Sequence, residues 1–68
     1  MELTIKSKKI GATFEFWLTS GGYVKVSFDG AEFQPCYGGR LIGETLTSTP
    51  ENFEKSVRKW YRAFIRRW

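Results

Sequence analysis

Residues 50–68 read PENFEKSVRKWYRAFIRRW, and their spacing decides the fold. Phe53, Val57, Trp60, Tyr61, Phe64, Ile65 and Trp68 recur at steps of four, three, one, three, one and three. On a helix of 3.6 residues per turn they form one stripe, centred about 40° round from Phe53. Lys55, Lys59, Arg62 and Arg66 fall at about 180–240° on the same wheel, on the far side. The spacing therefore predicts an amphipathic helix over residues 50–67, with an aromatic face to bury and a basic face to show. Thr49 suits the N-cap, Pro50 the first helical position, and Glu51 and Glu54 the end where the helix dipole favours acids. Glu51 with Lys55 and Glu54 with Arg58 stand at i,i+4 in the favourable order.

An aromatic stripe needs a surface to lie on, and the upstream sequence supplies one. Residues 2–7 alternate, with Leu3 and Ile5 on one side and Glu2, Thr4 and Lys6 on the other. Residues 12–19 alternate more strongly: Phe14, Phe16 and Leu18 share one side, Glu15 and Trp17 the other. Ser20-Gly21-Gly22 predicts a tight turn, and residues 23–28 return with Val24, Val26 and Phe28 inward and Tyr23, Lys25 and Ser27 outward. Asp29-Gly30 is a two-residue hairpin signal, so a short fourth strand is expected over residues 31–34, with Pro35 ending it or restricting it to an edge. Residues 37–46 carry Gly38, Gly39 and Gly43 among Leu41, Ile42 and Leu46, and read as a loop crossing the domain. The expected fold is α+β: an antiparallel meander of three to four strands (residues 1–36), a glycine-rich connection (37–49) and one long C-terminal helix packed across one face of the sheet.

Size makes that packing necessary. The 68 residues form one domain, and a chain this short buries only about 60% of its unfolded surface. The lone Cys36 has no partner for an intramolecular disulfide, and the absence of histidine argues against a zinc site, so no metal or cofactor is expected. Six Phe, three Trp and three Tyr supply the core instead. The first six residues hold an early acid and no apolar run of the signal-peptide kind, and no apolar run approaches a membrane span. A cytoplasmic protein is the expectation.

The net charge is +4, and its placement is the main functional clue. Through Thr47, five basic residues balance five acids; from Ser48 onward there are six basic residues and two acids. The excess lies on the predicted helix. Lys55, Lys59, Arg62 and Arg66, flanked by Arg58 and Arg67, are positioned to contact nucleic-acid phosphates. The plain alternative is a solvated face that keeps an aromatic-rich protein soluble. On the outer face of the sheet, Trp17, Tyr23 and Lys25 resemble a stacking platform for single strands, or one half of a protein interface that would also use Trp68. The charges on that face, Glu2, Lys6, Lys8, Glu15 and Lys25, sum to only +1. Because the helix covers the inner face, its basic side and Trp17 point in opposite directions, and electrostatics selects the helix.

Other motifs carry less chemistry. Gly38-Gly39-Arg40 matches no phosphate-loop fingerprint, Cys36 has no histidine to act as its base, and the carboxylates are scattered. No enzyme and no small-molecule substrate are expected. Docking of the helix on a membrane would leave the sheet's inner face uncovered, so no membrane partner is expected. The order of elements over residues 12–64 resembles the small DNA-binding domains of phage-type integrases and plant-type AP2 domains. That resemblance implies a sheet entering the major groove with Trp17, Tyr23 and Lys25, and rests on no diagnostic residue. The sequence points first to a non-enzymatic nucleic-acid-binding protein, and second to a protein-interaction module: a homodimer or a small regulator of an acidic partner.

Overall fold

The computed structural model describes residues 1–31, 34–35 and 46–66. Strands β1 (Glu2–Ser7), β2 (Ala12–Leu18) and β3 (Val24–Phe28) form an antiparallel meander in chain order, and the two-residue β4 (Gln34–Pro35) adds to the edge of β3. After a 3₁₀ turn at Pro50–Asn52, helix α1 runs over Phe53–Arg66. This is the small α+β arrangement that the alternation and the helical stripe predict.

Register follows from alternation. Leu3 faces Phe16, which faces Val26; Ile5 faces Phe14, which faces Phe28; Leu18 faces Val24. These apolar residues therefore share one face of the sheet, since a slip of one residue would turn each strand's set outward. Against them α1 buries Phe53, Val57 and Trp60. Phe14, Phe16, Val24 and Val57 are fully enclosed, each contributing about 1.5–3 kcal/mol by leaving water. Phe14 makes edge-on contacts with Tyr61 and Phe64 of α1 at centroid distances of 5.4 and 5.8 Å, and Phe16 meets Trp60 edge-on at 5.9 Å.

The turns hold that register. At the second hairpin Gly22 has φ +86°, and a Cβ there would approach the Ser48 carbonyl at 3.4 Å. At the third, Asp29 (φ 49°) and Gly30 (φ 81°) both lie in the left-handed region and Ala31 N–H closes the turn on Phe28 O at 2.9 Å, while Val26 stands opposite Gln34, one residue beyond the register of the expected two-residue hairpin. Asp29 also ties β3 to β2: its N–H donates to Thr13 O at 2.8 Å, and its carboxylate accepts from Thr13 N–H at 2.7 Å.

Several expectations are corrected. Phe28 contacts Phe14 at 4.4 Å but remains 39% exposed, because it ends its strand beside a turn. Ser27 stands opposite Glu15 on the outer face, as expected, yet is only 2% exposed, and its hydroxyl donates to Ala31 O. Pairing of the fourth strand is described at Gln34–Pro35, where Pro35 stands opposite Lys25 on the edge, a position open to proline. The connection's last residues return beside β3: Val24 N–H donates to Leu46 O, Tyr23 bridges Thr47, and Ser48 N–H donates to Gly22 O. Thr49 precedes the helical turn, yet its side chain makes no capping bond. The reading of residues 37–45 as a crossing loop lies outside the described residues.

Candidate nucleic-acid interface

Helix α1 exposes Glu54, Lys55, Arg58, Lys59, Arg62 and Arg66. They are exposed because the opposite stripe is committed to the sheet, so the aromatic packing that builds the core also fixes the direction of the charges. Lys55 and Arg66 are separated by about 16 Å along the axis, three turns of helix. Arg58 is engaged: its Nε donates to Glu54 Oε2 at 2.9 Å. Among the described residues, Lys55, Lys59, Arg62 and Arg66 enter no ion pair. The expected Glu51–Lys55 pair is not formed. Glu51 lies in the 3₁₀ turn, whose three residues per turn rotate it out of α-helical i,i+4 register.

The charge is polarised along the helix. Glu51 and Glu54, with Glu2 of β1, border one concavity at its N-terminal end, together with Met1, Leu3, Pro50 and Phe53. The C-terminal end carries Arg62 and Arg66 and meets the β1–β2 turn, where Lys9 Nζ donates to Ile65 O at 3.0 Å. That turn is well held. Gly11 N–H donates to Ser7 O at 3.0 Å with Gly11 at φ +66°, and Ile10 packs against the core. Lys8 and Lys9 are consequently exposed while Ile10 turns inward, and Lys8, expected on the outer face of the sheet, lies instead in the turn beyond the end of β1. The sequence offers no local sign of the Lys9 contact, which joins residues 56 positions apart.

The other predicted set lies across the sheet. Trp17 (41% exposed) stands between Glu2 on β1 and Lys25 on β3, and Tyr23 (55% exposed) is diagonal to it. Glu2 and Lys25 flank the indole with opposite charges, and Glu15 is two residues along the same face. A phosphate chain crossing Trp17 would meet as much repulsion as attraction. The structure thus brings Trp17, Tyr23 and Lys25 together and keeps them apart from the helix cations. Trp68, Arg67, Tyr37, Cys36 and Gly38-Gly39-Arg40 lie outside the described residues.

A concavity of about 300 Å³ is lined by Leu46, Ser56, Lys59, Trp60 and Ala63. Those side chains offer no carboxylate, thiol or imidazole. Among the described residues no group of three or more His, Cys, Asp or Glu could hold a metal ion, and no helix is long and apolar enough to cross a membrane. Comparison with family models, with curated proteins and with solved structures finds no match to this chain. The likeness in element order to integrase and AP2 domains gains no support from these comparisons.

Proposed function

We propose that this protein is a small, non-enzymatic, cytoplasmic binding protein that contacts nucleic-acid phosphates through the basic side of α1. The observation that carries the reading is the exposure of Lys55, Lys59, Arg62 and Arg66 on one side of a packed helix, with no acid paired to any of them among the described residues. The helix's exposed side chains are all Glu, Lys or Arg, with no Asn or Gln to pair bidentately with adenine apart from Asn52 before its first turn. Lys and Arg suit contact with phosphates, and the base edge they pair with is that of guanine, through its O6 and N7. Anisotropy binding to mixed-sequence duplex and single-stranded oligonucleotides tests the reading. The triple variant Lys59→Ala, Arg62→Ala, Arg66→Ala loses most of the affinity while retaining its fold; equal affinity in variant and wild type would refute the mechanism.

A second reading, a protein interface, is favoured by the adjoining exposure of Trp17 and Tyr23. Sedimentation across a concentration series separates the homodimer form of it from the first. A monomer throughout, with Trp17→Ala unchanged, removes the homodimer.

A further inference from the structure

We propose that the phosphate-binding surface is concentrated at the C-terminal end of α1 and continues onto the β1–β2 turn, with Lys8 joining Arg62 and Arg66 as a contact residue. Lys9 acts as the positioning residue that docks the turn there. The inference rests on the nucleic-acid reading of α1 and deepens it by assigning two lysines that lie outside the helix.

Three observations converge. First, Lys9 Nζ reaches Ile65 O at 3.0 Å, which brings the Lys9 ammonium to a carbonyl three residues from Arg62 and one from Arg66 in the helix. Lys8, whose Cα is about 3.8 Å from that of Lys9, is exposed and enters no ion pair among the described residues. Second, the last carbonyls of a helix carry partial negative charge, which would repel phosphates from the end where Arg66 stands. An ammonium bound to the Ile65 carbonyl offsets that repulsion. Third, Glu2, Glu51 and Glu54 gather at the opposite end, one turn from Lys55. A polyanion is discouraged there and drawn towards the far end.

The turn is rigid enough to act as part of a site. Ser7 is buried, its hydroxyl accepts from Ile10 N–H at 3.4 Å, and Ile10 packs against the core, so the lysine pair is displayed from a fixed hairpin. Lys9 is not itself required to touch phosphate, since its ammonium is already engaged at the helix end.

The test compares Lys8→Gln, Lys55→Gln and Arg66→Gln, with Lys9→Met and Lys9→Arg, by anisotropy on a mixed-sequence oligonucleotide over a salt series. Thermal melts run alongside to show that each variant is folded. Lys8→Gln and Arg66→Gln each weaken binding roughly two- to fivefold at low salt and lower the salt slope by about 0.7–0.9. Lys55→Gln changes both less. Lys9→Met weakens binding and Lys9→Arg restores it. If wild type binds but Lys8→Gln is silent and Lys55→Gln matches Arg66→Gln, the inference is overturned and the helix reading survives. If Lys9→Met binds as Lys9→Arg does, the positioning role is overturned. No binding by wild type at low salt would remove the helix reading and this inference with it.

Discussion

Phe14 is the side chain on which the packing of this domain most depends. It is fully buried on the central strand, and its ring meets Phe28 at 4.4 Å, Tyr61 at 5.4 Å and Phe64 at 5.8 Å. One residue thus links β2 with β3 and with the last two turns of α1. Replacing a buried Phe by Ala costs about 3–5 kcal/mol. A chain of this length has a total stability of about 3–10 kcal/mol. Phe14→Ala therefore removes between about a third and all of the stability, lowering the urea midpoint in that proportion, and unfolds the protein at 25 °C if the wild type lies at the low end of that range. Phe14→Leu keeps most of the apolar volume and loses the ring geometry; with aromatic pairs contributing about 0.5–1.5 kcal/mol each and not adding fully, it should cost about 1–3 kcal/mol. Urea unfolding followed by tryptophan fluorescence reads both, with buried Trp60 as the reporter. A cost below 1 kcal/mol for Phe14→Ala, with an unchanged denaturant slope, would refute the view that helix and sheet are joined through this ring.

Trp60 is buried and its Nε1 has no hydrogen-bond partner among the described residues, although the ring stacks on Phe64 at 5.1 Å. Trp60→Phe, which removes that unpaired donor, should cost less by at least 1 kcal/mol than Trp60→Ala, measured by chemical denaturation. Gly30→Ala meets nothing within 4 Å among the described residues, so its cost is that of a left-handed backbone, about 1–2 kcal/mol in the same assay. Asp29→Asn keeps an acceptor for Thr13 N–H and tolerates the positive φ, so it should be milder than Asp29→Ala in thermal unfolding. Glu54→Ala breaks an exposed i,i+4 pair and removes an acid from the helix's first turn, so it should cost no more than about 1.5 kcal/mol, while freeing Arg58 and slightly increasing affinity for oligonucleotides.

The strands were legible because alternation is a local property. Phe14, Phe16 and Leu18 against Glu15 and Trp17 specify which side of β2 is buried, and the pairing with Leu3, Ile5, Val24 and Val26 follows. Asp29-Gly30 was legible because few residue pairs accept two positive φ angles, and α1 because its stripe repeats over four turns. What sequence reading missed is set by contacts between distant residues or by the ends of elements. Lys9 finds a carbonyl 56 residues away; Leu46 and Ser48 bond beside β3 through backbone groups that carry no sequence mark. Glu51 fails to pair because the first turn is 3₁₀, a difference that Pro50 permits and composition does not announce. For the candidate site, the direction of Lys55, Lys59, Arg62 and Arg66 was readable from the wheel. The gathering of acids at one end and of Lys8 and Lys9 at the other required the fold.

The central claim is that exposed cations of α1 neutralise nucleic-acid phosphates, and the salt dependence of binding tests it most directly. Four phosphate contacts give a slope of log K against log salt of about −2.8 on single strands and −3.6 on duplex, or a loss of roughly 50- to 150-fold between 50 and 200 mM. The account predicts slopes near those values for wild type, reduced by more than half in the triple variant Lys59→Ala, Arg62→Ala, Arg66→Ala. Binding whose slope is flat in wild type, or unchanged in that variant, would contradict it.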